Sequence, residues 1–457
     1  MTRPLSIRQL SAAYAAGALD PVGVTMSVLA RARSGDPALF TSFCDDRALV
    51  EAHASALRWK AGMPLGPLDG VPTVWKDLYD IAGSVTTAAS AWFADAPPAT
   101  VDAEAVTALR RAGVVSIGKV NLSEFAFSGL GLNPHFGTPR LPGVRGPARA
   151  PGGSSSGTAC AVAAGMVPFG MGTDTGGSLR IPAAFQGLVG YQPSVGRHDK
   201  RGVFPLSQTL DVPGPIGVEV MDCIFVDQAM RGATPREIEA LPVERLQVVV
   251  PDNVVWEDCE PATQHALLHA IAALEDAGVA VQRCAVPELT QALQAQTEWG
   301  SLVGAEAYAL HRERMQQDPG RFDPRVLTRL QRGQAMSAAD LVLLQSRRAA
   351  LQQALARSMG ERLLLWPTVV HVAPELAPLQ TDAAWFDQCN QRTLRNTMLA
   401  NFLGLCGISL PAGNGRDGLP VALSLHALGH HDHVLLRAAL TVAPLLNPRP
   451  AMDAVFD

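Results

Sequence analysis

The sequence predicts a single large α/β domain. Short apolar runs of strand length alternate with longer segments of helical spacing through most of its 457 residues. Apolar residues make up 47% of the chain and charged residues only 17%, which is enough apolar material for a large buried core. No Ser-rich, Pro-rich or strongly charged linker interrupts the chain, so we expect residues 1–457 to fold as one unit.

Four segments of this domain differ in pattern. Residues 1–60 predict amphipathic helices, and residues 61–227 hold the Gly- and Ser-rich stretches that carry the chemistry. Residues 228–360 are mainly helical, with a long Arg- and Gln-rich part that we expect to be solvated. Residues 361–457 contain apolar strand patterns and a final helix. The second and fourth segments are therefore expected to form the core.

Charge and cysteine content exclude several classes of function. The net charge is −5 and no basic stripe is present, so nucleic acid is not an expected ligand. Seven scattered cysteines without a C-x-x-C pair indicate a reducing compartment and no zinc site. The N-terminus lacks a signal-peptide pattern, and no apolar run is long enough to span a bilayer. We therefore expect a cytoplasmic protein with no metal, cofactor or membrane partner, acting alone or as a homodimer.

Two Ser- and Gly-rich turns lie between residues 149 and 193. They flank a run of small residues and then an apolar run of strand length, which predicts loop, helix, strand, loop, helix and places the two turns side by side. The second turn reads Asp-Thr-Gly-Gly-Ser over residues 174–178, and its glycines allow successive backbone N–H groups to converge on an anion. Ser178 is therefore the candidate nucleophile for acyl transfer.

The first turn supplies a competing nucleophile. Residues 153–157 match G-x-S-x-G, the nucleophile elbow of α/β-hydrolases, in which Ser155 would attack. That motif follows directly on a strand, whereas residues 146–152 are rich in glycine and proline and are not expected to form a central strand. We therefore favour Ser178 over Ser155.

A lysine stands in the middle of an apolar, β-prone run, residues 68–81. Burial of Lys76 would lower the pKa of its amine, and a neutral amine can act as a base at neutral pH. The alternatives are a side chain that extends to the surface, or one that pairs with Asp77 or Asp80. From this segment alone these alternatives stay open.

Together, the lysine run and the two serine turns resemble the amidase signature family. The resemblance covers the chain from about residue 60 to the end and is densest between residues 70 and 215. It implies an α/β fold with a mixed, mostly parallel β-sheet covered by helices on both faces. The motifs that carry it are GVPTVWKDLYDIAG (70–83), GKVNLSEFAFS (118–128), NPHFGTPR (133–140), PGGSSSGTACAVAAG (151–165), GTDTGGSLRIPAAFQGLVGYQPS (172–194), LLWPT (364–368) and GISLPAGNGRDGLPVAL (407–423).

The resemblance also implies a catalytic triad of a serine, a second serine on a cis peptide, and a lysine. Ser178 matches the nucleophile, Ser154 the bridging serine and Lys76 the base. Asp174 and Arg180 match positions that brace the nucleophile loop. The implied oxyanion donors are the backbone N–H groups of Thr175, Gly176, Gly177 and Ser178.

Three positions depart from the residues usual in the family, namely Trp75, Ser156 and Thr158, and none of them removes a catalytic group. Trp75 and Ser156 are expected to reshape the neighbouring pocket. The predicted lining is apolar and offers no obvious cation for an acidic acyl group. It consists of Trp75, Phe125, Phe127, Leu130, Leu132, Ser156, Phe204 and Leu206.

The expected function is hydrolysis of C–N bonds in small hydrophobic or aryl-bearing amides, with carbamates (urethanes) and esters as related substrates. The segment DVPGPI (211–216) resembles the arylacetamide-hydrolysing branch of the family. The alternative is the glutaminase subunit of a tRNA-dependent amidotransferase, which requires an arginine for the glutamine carboxylate and a partner subunit that receives the ammonia. A non-enzymatic scaffold is disfavoured because all three triad positions are retained.

Overall fold

A mixed sheet of eleven strands forms the centre of the fold. The structure is a computed structural model that describes residues 5–144 and 146–447. In chain order the strands are β1 Phe40–Phe43, β2 Pro72–Lys76, β3 Val115–Val120, β4 Phe169–Asp174, β5 Val189–Gln192, β6 Val212–Gly217, β7 Gln247–Pro251, β8 Ala280–Cys284, β9 Leu363–Pro367, β10 Cys406–Asn414 and β11 Pro420–Ala427.

The strands lie in the order β1-β3-β2-β4-β6-β5-β10-β11-β9-β7-β8. Strand β2 is parallel to β3 and β4, and β7 is parallel to β8 and β9. The other six pairings among the described strands are antiparallel. The sheet is mixed, as expected, but it is not mostly parallel, because β6 returns beside β4 and the β10–β11 hairpin fills the middle.

Helices surround the sheet, and polar residues mark where several of them begin. Asp20 caps the helix that starts at Pro21, and Ser337 with Asp340 forms a capping box. Within the described ranges, none of the helices is both long enough and apolar enough to cross a membrane. The α-helices are α1 Ile7–Ala15, α2 Pro21–Ser34, α3 Asp45–Lys60, α4 Glu104–Arg111, α5 Ser156–Ala163, α6 Arg180–Phe185, α7 Val220–Met230, α8 Pro261–Asp276, α9 Pro287–Trp299, α10 Leu302–Gln317, α11 Pro324–Gln334, α12 Ala338–Met359, α13 Leu376–Thr381, α14 Ala383–Phe402 and α15 Asp432–Leu446.

Apolar clusters cover both faces of the sheet, as expected for an α/β fold. Successive side chains of a strand point to opposite faces. In β2, Val74 packs in one cluster with Ala159 of α5, whereas Trp75 packs in another with Met171 of β4. The strand that carries Lys76 is therefore buried from both sides.

The predicted order of loop, helix, strand, loop, helix is confirmed between residues 149 and 193. Small residues let α5 lie close to the sheet: a Cβ on Gly170 would come within 2.8 Å of the Thr158 side chain. The backbone N–H of Ser155 donates to the carbonyl of Ser178 at 3.3 Å. The two serine turns therefore lie side by side, as the sequence predicted.

The helices α10 to α12 differ from the expectation of a solvated face. They contribute Leu330, Leu344, Leu351 and Leu355 to a second buried cluster, which also contains Leu399 of α14. Only their outer faces are polar and exposed. This helical segment therefore packs against the core and can place side chains near the serine turns.

Candidate active site

Lys76 is the last residue of β2 and is completely buried. Its Nζ donates hydrogen bonds to Ser154 Oγ at 2.7 Å and to Thr173 Oγ1 at 2.8 Å. Burial lowers the pKa of its amine to about 7, against the opposing effect of the negative charges of Asp211 and Asp174. A substantial fraction of the amine is therefore neutral at neutral pH.

The two alternatives for Lys76 are excluded by its surroundings. The side chain does not reach the surface. Asp77 pairs instead with Lys119, whose Nζ lies 3.0 Å from Asp77 Oδ1, and Asp80 accepts a hydrogen bond from Thr86 at 2.6 Å. Both neighbouring carboxylates are thus occupied, and the lysine is directed at the first serine turn.

The first serine turn contains a cis peptide between Gly153 and Ser154, as the resemblance implied. The N–H of Gly153 donates to the carbonyl of Gly129 at 2.8 Å, and the carbonyl of Ser154 accepts from the N–H of Ser123 at 3.2 Å. Backbone hydrogen bonds therefore hold the turn, while Ser154 Oγ faces Lys76.

The second serine turn, residues 174–178, connects β4 to α6 and is organised by its first residue. Asp174 accepts from the N–H of Gly177 at 2.7 Å and from the N–H of Leu179 at 3.1 Å. Gly177 has a φ of +128°, and a Cβ there would collide with Thr397 Oγ1, so the turn requires glycine at this position.

Three of the four predicted oxyanion donors are free. The N–H groups of Thr175, Gly176 and Ser178 donate to no acceptor among the described residues, and all three residues line a small cavity. The N–H of Gly177 is engaged by Asp174. The expectation that Gly177 donates to an oxyanion is therefore corrected, because its N–H closes the turn.

The predicted bracing pair, Asp174 and Arg180, is brought together and completely buried. Arg180 Nε and Nη2 donate to the two carboxylate oxygens of Asp174, each at 3.1 Å. Asn401 of α14 donates to Asp174 at 2.9 Å and accepts from Arg180. Burial alone would raise the pKa of Asp174, but the charge of Arg180 and these hydrogen bonds lower it, so the carboxylate is ionised.

Two further polar residues hold the second turn and were missed by the sequence analysis. Thr397 Oγ1 donates to the carbonyl of Gly176 at 2.6 Å, and Thr175 Oγ1 donates to Asp211 at 2.6 Å. Asp211 is the first residue of the segment DVPGPI, which the sequence analysis noted for its resemblance to one branch of the family. No role was assigned to Asp211 itself there. Thr397 lies within a helix of ordinary pattern, and nothing in the sequence pointed to it.

Ser155 is not placed to act as a nucleophile. It is completely buried, and its Oγ donates to the carbonyl of Thr173 at 3.3 Å. The residues before it form no strand within the described part of the chain, apart from an isolated bridge at Arg149. The nucleophile-elbow hypothesis is therefore wrong.

Ser178 borders the inner of two cavities that share a wall. The inner cavity has a volume of about 20 Å³ and the outer cavity about 550 Å³. Four residues line both: Phe127, Arg329, Leu394 and Met398. The inner cavity is otherwise lined by Ala126, Ser128, Thr175, Gly176, Ser178, Leu206 and Val303.

Two residues of the predicted pocket, Phe127 and Leu206, line the inner cavity. Trp75 does not line either cavity, since it packs against Tyr79 and donates to Ser116 Oγ at 3.2 Å within the core.

The remaining predicted pocket residues also lie outside both cavities. Phe125 and Phe204 stack on each other with ring centroids 5.8 Å apart, in a buried aromatic cluster. Ser156 is buried in α5 and donates to a backbone carbonyl. Leu130 and Leu132 belong to a separate small apolar cluster. Closeness in the sequence therefore does not give a shared cavity wall: Phe127 and Leu130 lie three residues apart but belong to different apolar clusters.

The lining also contains a cation that the sequence analysis did not predict. Arg329 lies in α11, within the part of the chain that we expected to be solvated, yet it borders both cavities. The expectation of a lining without a cation is therefore wrong. The Arg-rich composition of this segment gave no sign that Arg329 lies at a cavity wall.

Comparison with known proteins identifies the family. Residues 23–436 match the family model described as Amidase, so the chain belongs to the amidase family, as the resemblance indicated. A solved structure described as a crystal structure of amidase has a TM-score of 0.84 and 28% identity, and the match covers 96% of this chain and 99% of that one. The protein is therefore an amide-hydrolysing enzyme.

Three curated relatives show the breadth of this family. The chain is 33% identical over 407 residues to a 2-amino-5-chloromuconic acid deaminase from Comamonas testosteroni, covering 86% of this chain and 85% of the relative. It is 32% identical over 420 residues to a mandelamide hydrolase from Pseudomonas putida, covering 86% and 82%. It is also 32% identical over 494 residues to the A subunit of a glutamyl-tRNA(Gln) amidotransferase from Symbiobacterium thermophilum, covering 99% of each.

Proposed function

We propose that the protein hydrolyses the C–N bond of small amides through an acyl-enzyme on Ser178. The observation that carries the proposal is the buried amine of Lys76, 2.7 Å from Ser154 Oγ and beside the Ser178 turn. A serine hydroxyl becomes a strong nucleophile when a base takes its proton, and a neutral amine is such a base. Ser178 Oγ makes no hydrogen bond to Ser154 among the described residues, and catalytic contacts of this kind often tighten when substrate binds.

The proposed reaction has two halves. Lys76 takes the proton of Ser154 while Ser154 takes that of Ser178, and Ser178 Oγ bonds to the substrate carbonyl carbon. The free N–H groups of Thr175, Gly176 and Ser178 stabilise the oxyanion. The C–N bond then breaks, and the relay returns the proton to the leaving amine. A water molecule, deprotonated by the same relay, attacks the acyl-enzyme and releases a carboxylic acid.

We further propose that part of the substrate is hydrophobic, for example an aryl group. The support is the outer cavity of about 550 Å³, which shares the apolar residues Phe127, Leu394 and Met398 with the inner cavity beside Ser178. A relative whose name is mandelamide hydrolase favours the same interpretation. Carbamates, including urethanes, and esters pass through the same acyl chemistry, so they are candidate substrates too.

A glutaminase subunit of an amidotransferase is the second candidate. It is favoured by Arg329 at the cavity, because this function requires a cation for the glutamine carboxylate. A relative of that name matches over 99% of both chains. Glutamine also carries an ammonium group, and no carboxylate lies among the described residues that line the inner cavity. We therefore place this candidate second.

The test is a substrate panel of an aryl anilide, an arylacetamide, an aryl carbamate, a nitrophenyl ester and glutamine. Wild type is compared with Ser178→Ala and with Ser155→Ala, a neighbouring buried serine as control. We expect Ser178→Ala to lose about a thousandfold or more in kcat, and Ser155→Ala to stay within about tenfold. An active Ser178→Ala protein would refute the proposal. Ammonia release from glutamine alone, together with a co-purifying partner, would favour the second candidate.

We also propose a cytoplasmic location. All seven cysteines lie in the described residues as free thiols, which suits a reducing compartment. Cell fractionation with antibodies tests this, and recovery from an oxidising compartment with intact disulfides would contradict it.

A further inference from the structure

Asp211 accepts three hydrogen bonds but takes no part in the proposed proton relay. Its Oδ1 accepts from Thr175 Oγ1 at 2.6 Å, and its Oδ2 accepts from the N–H groups of Leu206 and Ser207 at 2.8 and 2.9 Å. Burial raises the pKa of Asp211, and these bonds oppose that rise. Each of the three bonds is donated to the carboxyl group, which is the pattern of an ionised carboxylate.

Two of these neighbours belong to the candidate site. Thr175 offers one of the three free N–H groups of the oxyanion turn, and Leu206 lines the inner cavity beside Ser178. Asp211 itself lines neither cavity, so it acts on the site through these neighbours. Because oxyanion donors must keep a fixed direction to stabilise the developing charge, the bond to Thr175 bears on the reaction itself.

The loop that carries Asp211, residues 206–211, is fastened from a second side. Glu306 of α10 accepts hydrogen bonds from the hydroxyl groups of Ser207 and Thr209, and from the N–H of Thr209 at 3.1 Å. The loop is therefore held between a helix on one side and the oxyanion turn on the other. This arrangement keeps the carboxylate of Asp211 in one position.

The charge of Asp211 also acts on the candidate base. Burial lowers the pKa of Lys76 to about 7, and the charges of Asp211 and, to a smaller extent, Asp174 oppose this lowering. Asp174 is paired with Arg180, whereas Asp211 forms no ion pair among the described residues and is affected only by the positive charge of Lys200. A base works best when its pKa lies near the working pH, so this charge keeps the amine basic enough to take a proton.

We propose that Asp211 is a positioning residue for hydrolysis at Ser178: it holds the oxyanion turn through Thr175, and its negative charge keeps Lys76 basic. This inference rests on the proposed function, because the oxyanion turn and Lys76 are the groups that Asp211 serves. Its two parts are measured separately, one by turnover and the other by the titration of Lys76.

The turnover experiment removes either the charge or the hydroxyl group. Asp211→Asn keeps the shape of the side chain, Thr175→Val removes only the hydroxyl group, and Thr175→Ser restores it. On a nitrophenyl ester at about pH 9, Asp211→Asn and Thr175→Val should each lose about ten- to hundredfold in kcat, with KM changed by no more than about threefold. Thr175→Ser should stay within about threefold of wild type. Because Asp211→Asn and Thr175→Val weaken the same hydrogen bond, the double variant should lose much less than the product of the two single losses.

The titration of Lys76 is measured without turnover. The chain contains four lysines, at positions 60, 76, 119 and 200, so NMR of protein with isotope-labelled lysine side chains gives few signals. Lys76→Met assigns the signal of Lys76. Its midpoint should be lower in Asp211→Asn than in wild type by about half a pH unit or more, because the charge that favours the ammonium form is gone. The acid limb of kcat/KM on the ester should move to lower pH with it.

Asp222→Asn is the matched control. Asp222 is completely buried and accepts from the N–H groups of Ile7 and Glu219 at 2.8 and 2.9 Å, so it holds backbone as Asp211 does. The negative charges that act on Lys76 are those of Asp211 and Asp174. Asp222→Asn should therefore lower the unfolding temperature but leave the midpoint of Lys76 unchanged and kcat within about threefold of wild type. A purely structural role would make Asp211→Asn behave like this control.

A kcat of Asp211→Asn within about threefold of wild type, or an unchanged midpoint of Lys76 in this variant, would overturn the inference. If Asp211→Asn does not fold, the two Thr175 variants decide: a loss in Thr175→Val that Thr175→Ser restores supports the inference, and equal kcat in both overturns it. If wild type hydrolyses nothing, including the ester, the proposed function fails, and the NMR titration then decides by itself. A lower midpoint in Asp211→Asn still supports the action of Asp211 on Lys76, whereas an unchanged midpoint overturns it.

Discussion

The serine turns and the helices α9–α11 both contribute to the candidate site, but in different ways. At the turns, position is set by the backbone: Asp174 closes one turn through two N–H groups, and Gly177 leaves no room for a side chain. From the helices, long side chains such as Arg329 reach a cavity wall with few contacts to hold them. The comparison teaches that the local backbone fixes the candidate catalytic turn, whereas individual side chains from distant parts of the chain form the cavity wall.

Two arginines, the completely buried Arg180 and the partly exposed Arg329, show the same contrast. Arg180 donates to both oxygens of Asp174 and to Asn401, so its charge is used within the protein. Arg329 has no acid partner among the described residues. The first arginine is held by its acid partner, whereas the second lies over the ring of Phe127.

The largest effect is expected from the base of the first region. Lys76→Met should lower kcat on the nitrophenyl ester by about a thousandfold or more, because no group remains to take the proton of Ser154. Its control is Lys119→Met, the other completely buried lysine of this sheet region, which should chiefly lower stability because it leaves Asp77 buried without its partner. Steady-state kinetics with thermal unfolding of both variants checks this. More than a tenth of wild-type activity in Lys76→Met would show that another group is the base.

A smaller loss is expected when the turn itself is distorted. Gly177→Ala should lower kcat by about a hundredfold, because the new Cβ displaces the turn against Thr397 and misdirects the oxyanion donors. Gly196→Ala is the matched control, since Gly196 also has a positive φ of +81° but open space around it. Both variants should share the strain of a positive φ, so unchanged kcat in Gly177→Ala would show that the turn tolerates the shift.

The pH dependence follows from the pKa of Lys76, about 7. Since the proposed reaction requires the neutral amine, kcat/KM should fall by about tenfold per pH unit below 7 and level off above it. An unfolded lysine titrates near pH 10.4, so the unfolded state binds more protons between pH 7 and about 10.4. The contribution of Lys76 to the free energy of unfolding should therefore rise with pH across this interval in wild type. This contribution should be absent in Lys76→Met. A pH–rate profile that is flat from pH 5 to 9 would contradict the assignment of Lys76 as the base.

The smallest effect is expected at a residue that the sequence wrongly placed in the pocket. Ser156→Gly should change kcat/KM on every substrate by no more than about threefold, because Ser156 lines neither cavity. Phe127→Ala, by contrast, should raise KM for aryl amides by about tenfold or more through lost apolar contact. If Ser156→Gly alters substrate preference more than Phe127→Ala does, the cavities lined by Phe127 are not where the substrate binds.

Much of the fold and of the turn geometry could be predicted from the sequence. The family, the α/β class and the amide-hydrolysing activity are confirmed by the comparisons. Lys76 and Ser154 meet as the resemblance implied, while their catalytic roles and that of Ser178 stay predictions. Of the predicted oxyanion donors, the N–H of Gly177 is engaged by Asp174, because the sequence does not show which N–H closes the turn, and the role of the other three stays a prediction.

The candidate catalytic residues lie in short sequence motifs because the structural constraints on them are local. A glycine is needed where φ is positive or a neighbour is close, and a lysine within an apolar strand is conspicuous wherever it occurs. The sequence by itself therefore located the two serine turns and the lysine, and the resemblance they carry indicated the kind of reaction they suit. Whether Lys76 is buried was decided by the structure. Which residues form the pocket wall was decided only by the tertiary structure. Helical periodicity tells which face of a helix is apolar, but not which element covers it, so Arg329, Thr397 and Leu394 could be placed at the site only once α11 and α14 were packed beside the second serine turn.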